Sequence, residues 1–171
     1  MMMTPRRLIR GDLIKCVDGR WLDRDGIPVP DIEYIPFDVK KVVQRWQNQI
    51  PIEPITEHPL PDIDKLNALV PEEERELGID GKPRPPYELN YIVYLLNPHD
   101  ASVLTSINST MGQRIAFERL VDRITYMRAL SGDRVVPIVR LSSAQMKTRY
   151  GVKMRPDFKI IHWRELGGPH P

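Results

Sequence analysis

Apolar positions follow three spacings along this chain, and each predicts a different kind of element. From Tyr87 to Leu96 (YELNYIVYLL) apolar side chains occupy both faces, which predicts a strand at the centre of a sheet. Asn97-Pro98-His99-Asp100 reads as a turn, and 101–108 (ASVLTSIN) as a second strand closing a hairpin. The spacing then becomes helical. Phe117, Leu120, Val121, Ile124 and Met127 share a face, and Arg114, Arg119, Arg123 and Arg128 lie mostly outside it. Thr110 as N-cap with Gln113 three residues on predicts a capping box at the helix start, and Ser131-Gly132-Asp133 its end. Residues 135–141 (VVPIVRL) predict a strand in which Pro137 requires an edge or a bulge. Residues 157–164 predict the last strand. Strict alternation puts Lys159, Ile161 and Trp163 on one face and Phe158, Ile160 and His162 on the other. Phe158 and Ile160 are assigned to the core, although a one-residue slip would exchange the faces.

The N-terminal half is less regular. Residues 8–17 form short apolar pairs that suit an irregular strand, and Asp18-Gly19 and Asp25-Gly26 flank Arg20-Trp21-Leu22 as in a small hairpin. Trp21 can cover one end of the core or stack on a base. Residues 33–52 are ambiguous between helix and strand; β-branched content between prolines favours one long, bent strand. Eight of the 17 prolines and the run Glu72-Glu73-Glu74-Arg75-Glu76 fall in 51–86. There Asp62 is a candidate N-cap for a short helix with Ile63, Leu66 and Leu69 or Val70 on one face, and Pro71 opens another that stops at Gly78. Residues 53–86 therefore read as an acidic, Pro-rich insertion within a single domain spanning 1–171, with 165–171 a disordered tail.

Composition narrows the classes. A chain of 171 residues with 41% hydrophobic and 28% charged content is ordinary for a globular protein, and no apolar run suggests a membrane span. The N-terminus lacks the apolar core of a secretory signal, and its repeated Met leaves the start codon open. The lone Cys16 precludes an internal disulfide and fits a cytoplasmic protein. Net charge is +2 but uneven: 1–81 carries 11 basic and 16 acidic residues, 82–171 carries 14 and 7. This polarity points to an accessory acidic half and a basic half facing a polyanion.

The densest basic stretch is 140–164, RLSSAQMKTRYGVKMRPDFKIIHWR. It holds Arg140, Lys147, Arg149, Lys153, Arg155, Lys159 and Arg164 against Asp157, with Tyr150 and Trp163 interleaved. Cations bind phosphates and aromatic rings stack on unpaired bases, so this stretch suits a single-stranded nucleic acid. Its middle, 142–156, is expected to be a long basic loop with Tyr150 at the tip. Lys41, Arg45 and Trp46, beside Lys40, form a second cation-plus-aromatic cluster. The alternative is that all these charges are merely solvated surface.

Five strands with one helix between the third and fourth predict a mostly β protein, specifically an OB-like five-stranded Greek-key barrel. Residues 91–163, through INSTMGQR, VVPIVRLSS, MKTRYG and RPDFKIIHW, resemble an uncharacterised family of phage and prophage replication or recombination proteins. That family in turn resembles phage single-stranded-DNA-binding OB proteins. The resemblance covers less than half the chain and implies sequence-tolerant binding of single-stranded DNA, or RNA, without a cofactor.

Two other readings compete. Segment 53–80 can dock a replication or recombination protein, or shield the basic groove, which would make the chain a structural or regulatory interaction module. Asp157-Phe158-Lys159 matches the acid-x-Lys element of Mg²⁺-dependent nucleases, but such a site needs a second carboxylate nearby. There is no GxxxxGK phosphate loop or Gly-rich dinucleotide motif, and His58, His99, His162 and His170 are scattered. The amides at Thr110–Gly112 can hold a phosphate, or simply belong to a capped helix.

Overall fold

A computed structural model describes residues 8–47, 50–51, 54–56, 59–77 and 81–167, and for residues 46, 47, 50 and 51 only the backbone. The elements are β1 (Asp12–Val17), β2 (Arg20–Leu22), β3 (Glu33–Gln47), β4 (Ile50–Pro51), α1 (Ile63–Ala68), β5 (Tyr87–Leu96), β6 (Val103–Asn108), α2 (Met111–Ser131), β7 (Val135–Thr148) and β8 (Gly151–Glu165). The protein is mostly β with one main helix. Contacts divide it into two compact units, one built on Arg7–Lys40 with Tyr91–Pro171, the other on Lys41–Asn90. No helix among the described residues is long and apolar enough to cross a membrane.

Strand order is β2-β1-β6-β5-β3-β7-β8, with β4 paired to β3. Along the path β7-β3-β5-β6, β7, the last of the four in sequence, lies beside β3, the first. The five-stranded expectation falls short because the N-terminal hairpin extends the sheet. Its β1 runs parallel to β6, pairing Asp12 with Leu104 and Ile14 with Ser106.

In the larger unit the local signals act as their chemistry dictates. Asp18 and Gly19 take φ of 50° and 83°, as a tight β1–β2 hairpin requires. Trp21 is buried, its ring 5.5 Å from that of Phe158 and its Nε1–H donated to Ser142 O at 2.8 Å. Thr110 caps α2 by accepting the Gln113 N–H at 3.3 Å. Only half of the capping box forms. The Gln113 side chain is buried, and its Nε2 donates to Tyr91 O and to Ser106 Oγ, which ties the helix start to β5 and β6. Ala116, Phe117 and Leu120 enter a core that includes Ile14, Ile92, Tyr94, Val139 and Phe158.

Two expectations about the last strands are overturned. Residues 142–156 are not a loop: β7 and β8 pair from Val135 with Glu165 out to Thr148 with Gly151, leaving Arg149 and Tyr150 as the turn. The outer part of this ribbon buries little, so backbone hydrogen bonds hold it without an apolar pattern to announce it. The second concerns Trp163. Val139 faces Ile160 while Ile138 faces His162, so Ile161 is bulged out. Beyond the bulge Trp163 pairs with Pro137 and shares the face of Phe158 and Ile160, not that of Lys159. Pro137 pairs with Trp163 of β8, beyond the β3–β7 register at Val139 and Arg140, and the expected bulge follows it.

The smaller unit relies heavily on side-chain amides. Asn67 donates to Tyr87 O at 3.3 Å and accepts from Tyr87 N at 2.8 Å, and buried Asn90 donates to Gln44 at 2.9 Å. Asp62 caps α1. After Pro71 there is one 3-10 turn, Glu72–Glu74, rather than a helix running to Gly78, which lies outside the described residues along with His58. Arg75 ends that turn by donating to Val70 O. In the expected tail, Leu166 N donates to Arg134 O and Arg134 donates to Gly167 O; His170 and its neighbours lie outside the described residues.

Candidate nucleic-acid interface

The β7–β8 hairpin positions the basic stretch. Its turn is held by Thr148, whose hydroxyl accepts the Tyr150 N–H at 3.2 Å and donates to Gly151 O at 2.7 Å. Gly151 takes φ of 110°, a region side-chain-bearing residues rarely adopt. Tyr150 therefore projects from the turn and is 81% exposed. Lys147, Arg149 and Lys153 surround it, and among the described residues none forms an ion pair.

The tip borders a cleft of about 720 Å³ in the larger unit. Lys147, Arg149, Tyr150, Lys153 and Arg155 line one side, and β1, the end of β6 and the first turn of α2 complete it. Gly112 lets that first turn approach β8: a Cβ there would stand 3.0 Å from Arg155 Cβ and 3.4 Å from Pro156 Cδ. The helix amides considered for phosphate binding thus border the same cleft as the cations.

Arg155 is not the free phosphate partner expected of it. It is only 7% exposed, donates through Nη1 to Pro156 O at 2.9 Å, and lies 3.5 Å from Asp157 Oδ1. Asp157 is accordingly occupied by a guanidinium. Among the described residues no three His, Cys, Asp or Glu side chains gather as a metal site would need.

The other candidates lie elsewhere. Arg140 faces Lys159 across the strands and reaches Asp31 at 3.8 Å. Lys159 is exposed, and Trp163 is half-buried on the opposite face. Neither they nor Arg140 line the cleft. Lys41 and Arg45 belong to the smaller unit, where the Arg45 guanidinium lies 5.5 Å from the Tyr87 ring centre and its Nε is buried without a hydrogen-bond partner among the described residues. The Trp46 side chain lies outside the described residues. Lys40 sits 3.8 Å from Asp38 and 5.8 Å from the Tyr94 ring centre.

Lys15, Cys16, Asn108, Met146 and Met154 line the cleft and were not selected from the sequence. They come from three separate segments, and no local pattern links them. Burial raises the Cys16 thiol above its ordinary pKa, assisted by nearby Asp18 and opposed by the Gly19 backbone. The thiol therefore stays protonated at neutral pH, a poor nucleophile. No protein-family model, curated protein or solved structure matches the chain.

Proposed function

We propose that the protein binds single-stranded nucleic acid, DNA in the first instance, without strong sequence preference, in phage or prophage replication or recombination. The observation carrying this reading is the hairpin tip, where Lys147, Arg149 and Lys153 flank the exposed Tyr150 with no carboxylate partner among the described residues. Unpaired cations give salt-dependent attraction to phosphates, and an exposed ring stacks on any base at about 1–3 kcal/mol. The strand order β6-β5-β3-β7-β8, with α2 between its third and fourth strands in sequence, supports an OB-like core carrying an added N-terminal hairpin. A regulatory interaction module remains the second reading, favoured by the acidic run Glu72–Glu74 in the smaller unit.

Titrating labelled single-stranded DNA, duplex DNA and RNA at low and moderate salt tests the proposal. The expected result is tightest binding to single strands, with affinity falling steeply as salt rises. No retention of any oligonucleotide at low salt would refute it and leave the interaction module. Cleavage on adding Mg²⁺ would instead establish the nuclease.

A further inference from the structure

The cleft beside the tip has chemistry that phosphate binding alone does not use. Over Asp12–Ile14, β1 runs beside β6, and then the two separate. Lys15 to Val17 turn to pair with β2, while Ile107 and Asn108 stay on β5. The fork so formed opens toward the hairpin tip. Its volume of about 720 Å³ falls within the ~300–1,000 Å³ of clefts that hold small-molecule ligands.

The lining is soft and apolar. Met146 and Met154 of the hairpin, Met111 of α2 and Ile107 of β6 all contribute. Met111 and Met154 are 67% and 42% exposed, although they form no part of a protein core. Thioethers adapt their shape and make favourable contacts with aromatic rings. Lys147 and Lys153 supply charge beside this lining. At the far wall Asn108 accepts the Ser109 N–H on its Oδ1 at 2.8 Å, which turns its amide oxygen inward to the chain and leaves its N–H₂ as a donor for a base edge.

Building on the nucleic-acid reading, we propose that this cleft receives one unstacked nucleobase. The base lies against Met146 and Met111, Asn108 donates to its edge, and a flanking phosphate lies along Lys153, which pairs with Met146 and shares its face of the hairpin. Tyr150 then holds a neighbouring base outside the cleft. The cation-rimmed, methionine-lined shape suits a nucleotide, in which a flat ring carries an anion at its margin.

Methionine oxidation reads the occupant directly, because peroxide transfers an oxygen to an accessible thioether and the sulfoxide is counted by mass spectrometry. The intact protein is exposed to peroxide alone, with a single-stranded oligonucleotide, and with an abasic strand of equal length, each at saturating concentration. Sulfoxide formation at Met111 and Met146 should slow roughly fivefold with the base-bearing strand and little with the abasic one. Met127, on α2 away from the cleft, is the internal control. Base-bearing DNA that binds without protecting these methionines would overturn the inference while leaving the proposed function intact. Equal protection by the abasic strand would also overturn it, since phosphates alone would then fill the site. Failure of both strands to bind at low salt would remove both. As a second arm, Tyr150→Ala should retain the protection, whereas loss of it would place the base on the tyrosine instead.

Discussion

At the base of the β7–β8 hairpin, Arg140 lies 3.8 Å from Asp31 and His162 lies 3.4 Å from Glu33; at its tip, Lys147, Arg149 and Lys153 have no ion pair among the described residues. Both ends are rich in cations, and the difference comes from the neighbouring strand. β3 pairs with β7 through Glu33 with Arg140 and Tyr34 with Val139, so Glu33, with Asp31 just before the strand, lies at the base. Beyond Leu141, β7 pairs, among the described residues, with β8, whose outer half carries Lys153 and Arg155. Arg140 and His162 at the base are thus answered by acids, whereas the tip cations, like Lys159 and Arg164, have no ion pair among the described residues. Arg155, part-way along, is satisfied by its own strand through Pro156 and Asp157. The lesson is that a count of basic residues says little until the carboxylates near them are placed.

The sharpest test of this contrast is stability. Phe158→Ala removes a ring buried at 4% exposure against Trp21, and should cost about 3–5 kcal/mol in urea unfolding. Replacing Lys147, Arg149 and Lys153 together by Ala should change stability by only about 0.5 kcal/mol. A large loss from the triple variant would show that the tip is structural.

Salt dependence divides the same two regions next. The triple variant should reduce the slope of log affinity against log salt by about 2, at roughly 0.7 for each lost phosphate contact with a single strand. Lys159→Ala, at the base, should leave that slope unchanged. Equal reductions from both would erase the distinction between base and tip.

The smallest effect compares the tip with the β5–β6 turn. Thr148 holds the tip through a hydroxyl that does not titrate, whereas Asp100 holds the other turn by accepting from Ser102 Oγ at 2.6 Å and Ser102 N at 2.9 Å. These hydrogen bonds lower the Asp100 pKa, with a smaller contribution from His99. Because the folded value is depressed, the stabilisation is full above the ordinary aspartate range and is lost as pH falls through the lowered value. Acidification should therefore lower the amide protection of Ser102, relative to its intrinsic exchange rate, before that of Tyr150, and Asp100→Asn should abolish that sensitivity.

Much of the fold was legible because its signals are local. Asp18-Gly19 selects its turn through positive φ, Thr110 caps α2, and the two-faced apolar run of Tyr87–Leu96 marks a strand between β6 and β3. Residues 33–47 form the extended strand favoured by their β-branched content, but it does not run on to 52, because β4 turns back to pair antiparallel with it. The outer hairpin was less legible, since a ribbon exposed on much of both faces has no need of alternation. Gln113 likewise matches a capping box in sequence, but burial gives its amide stronger claims at Tyr91 and Ser106.

Residue order by itself determined the helix, most of the strands and the cationic character of 140–164, because propensity, turn chemistry and charge act over a few neighbouring residues. Only the tertiary structure decided which cations are free, where Trp163 points and which side chains meet in the cleft. One bulged residue at Ile161 reverses a strand's faces, and Asp31, the carboxylate that reaches Arg140, lies more than a hundred residues away in the chain.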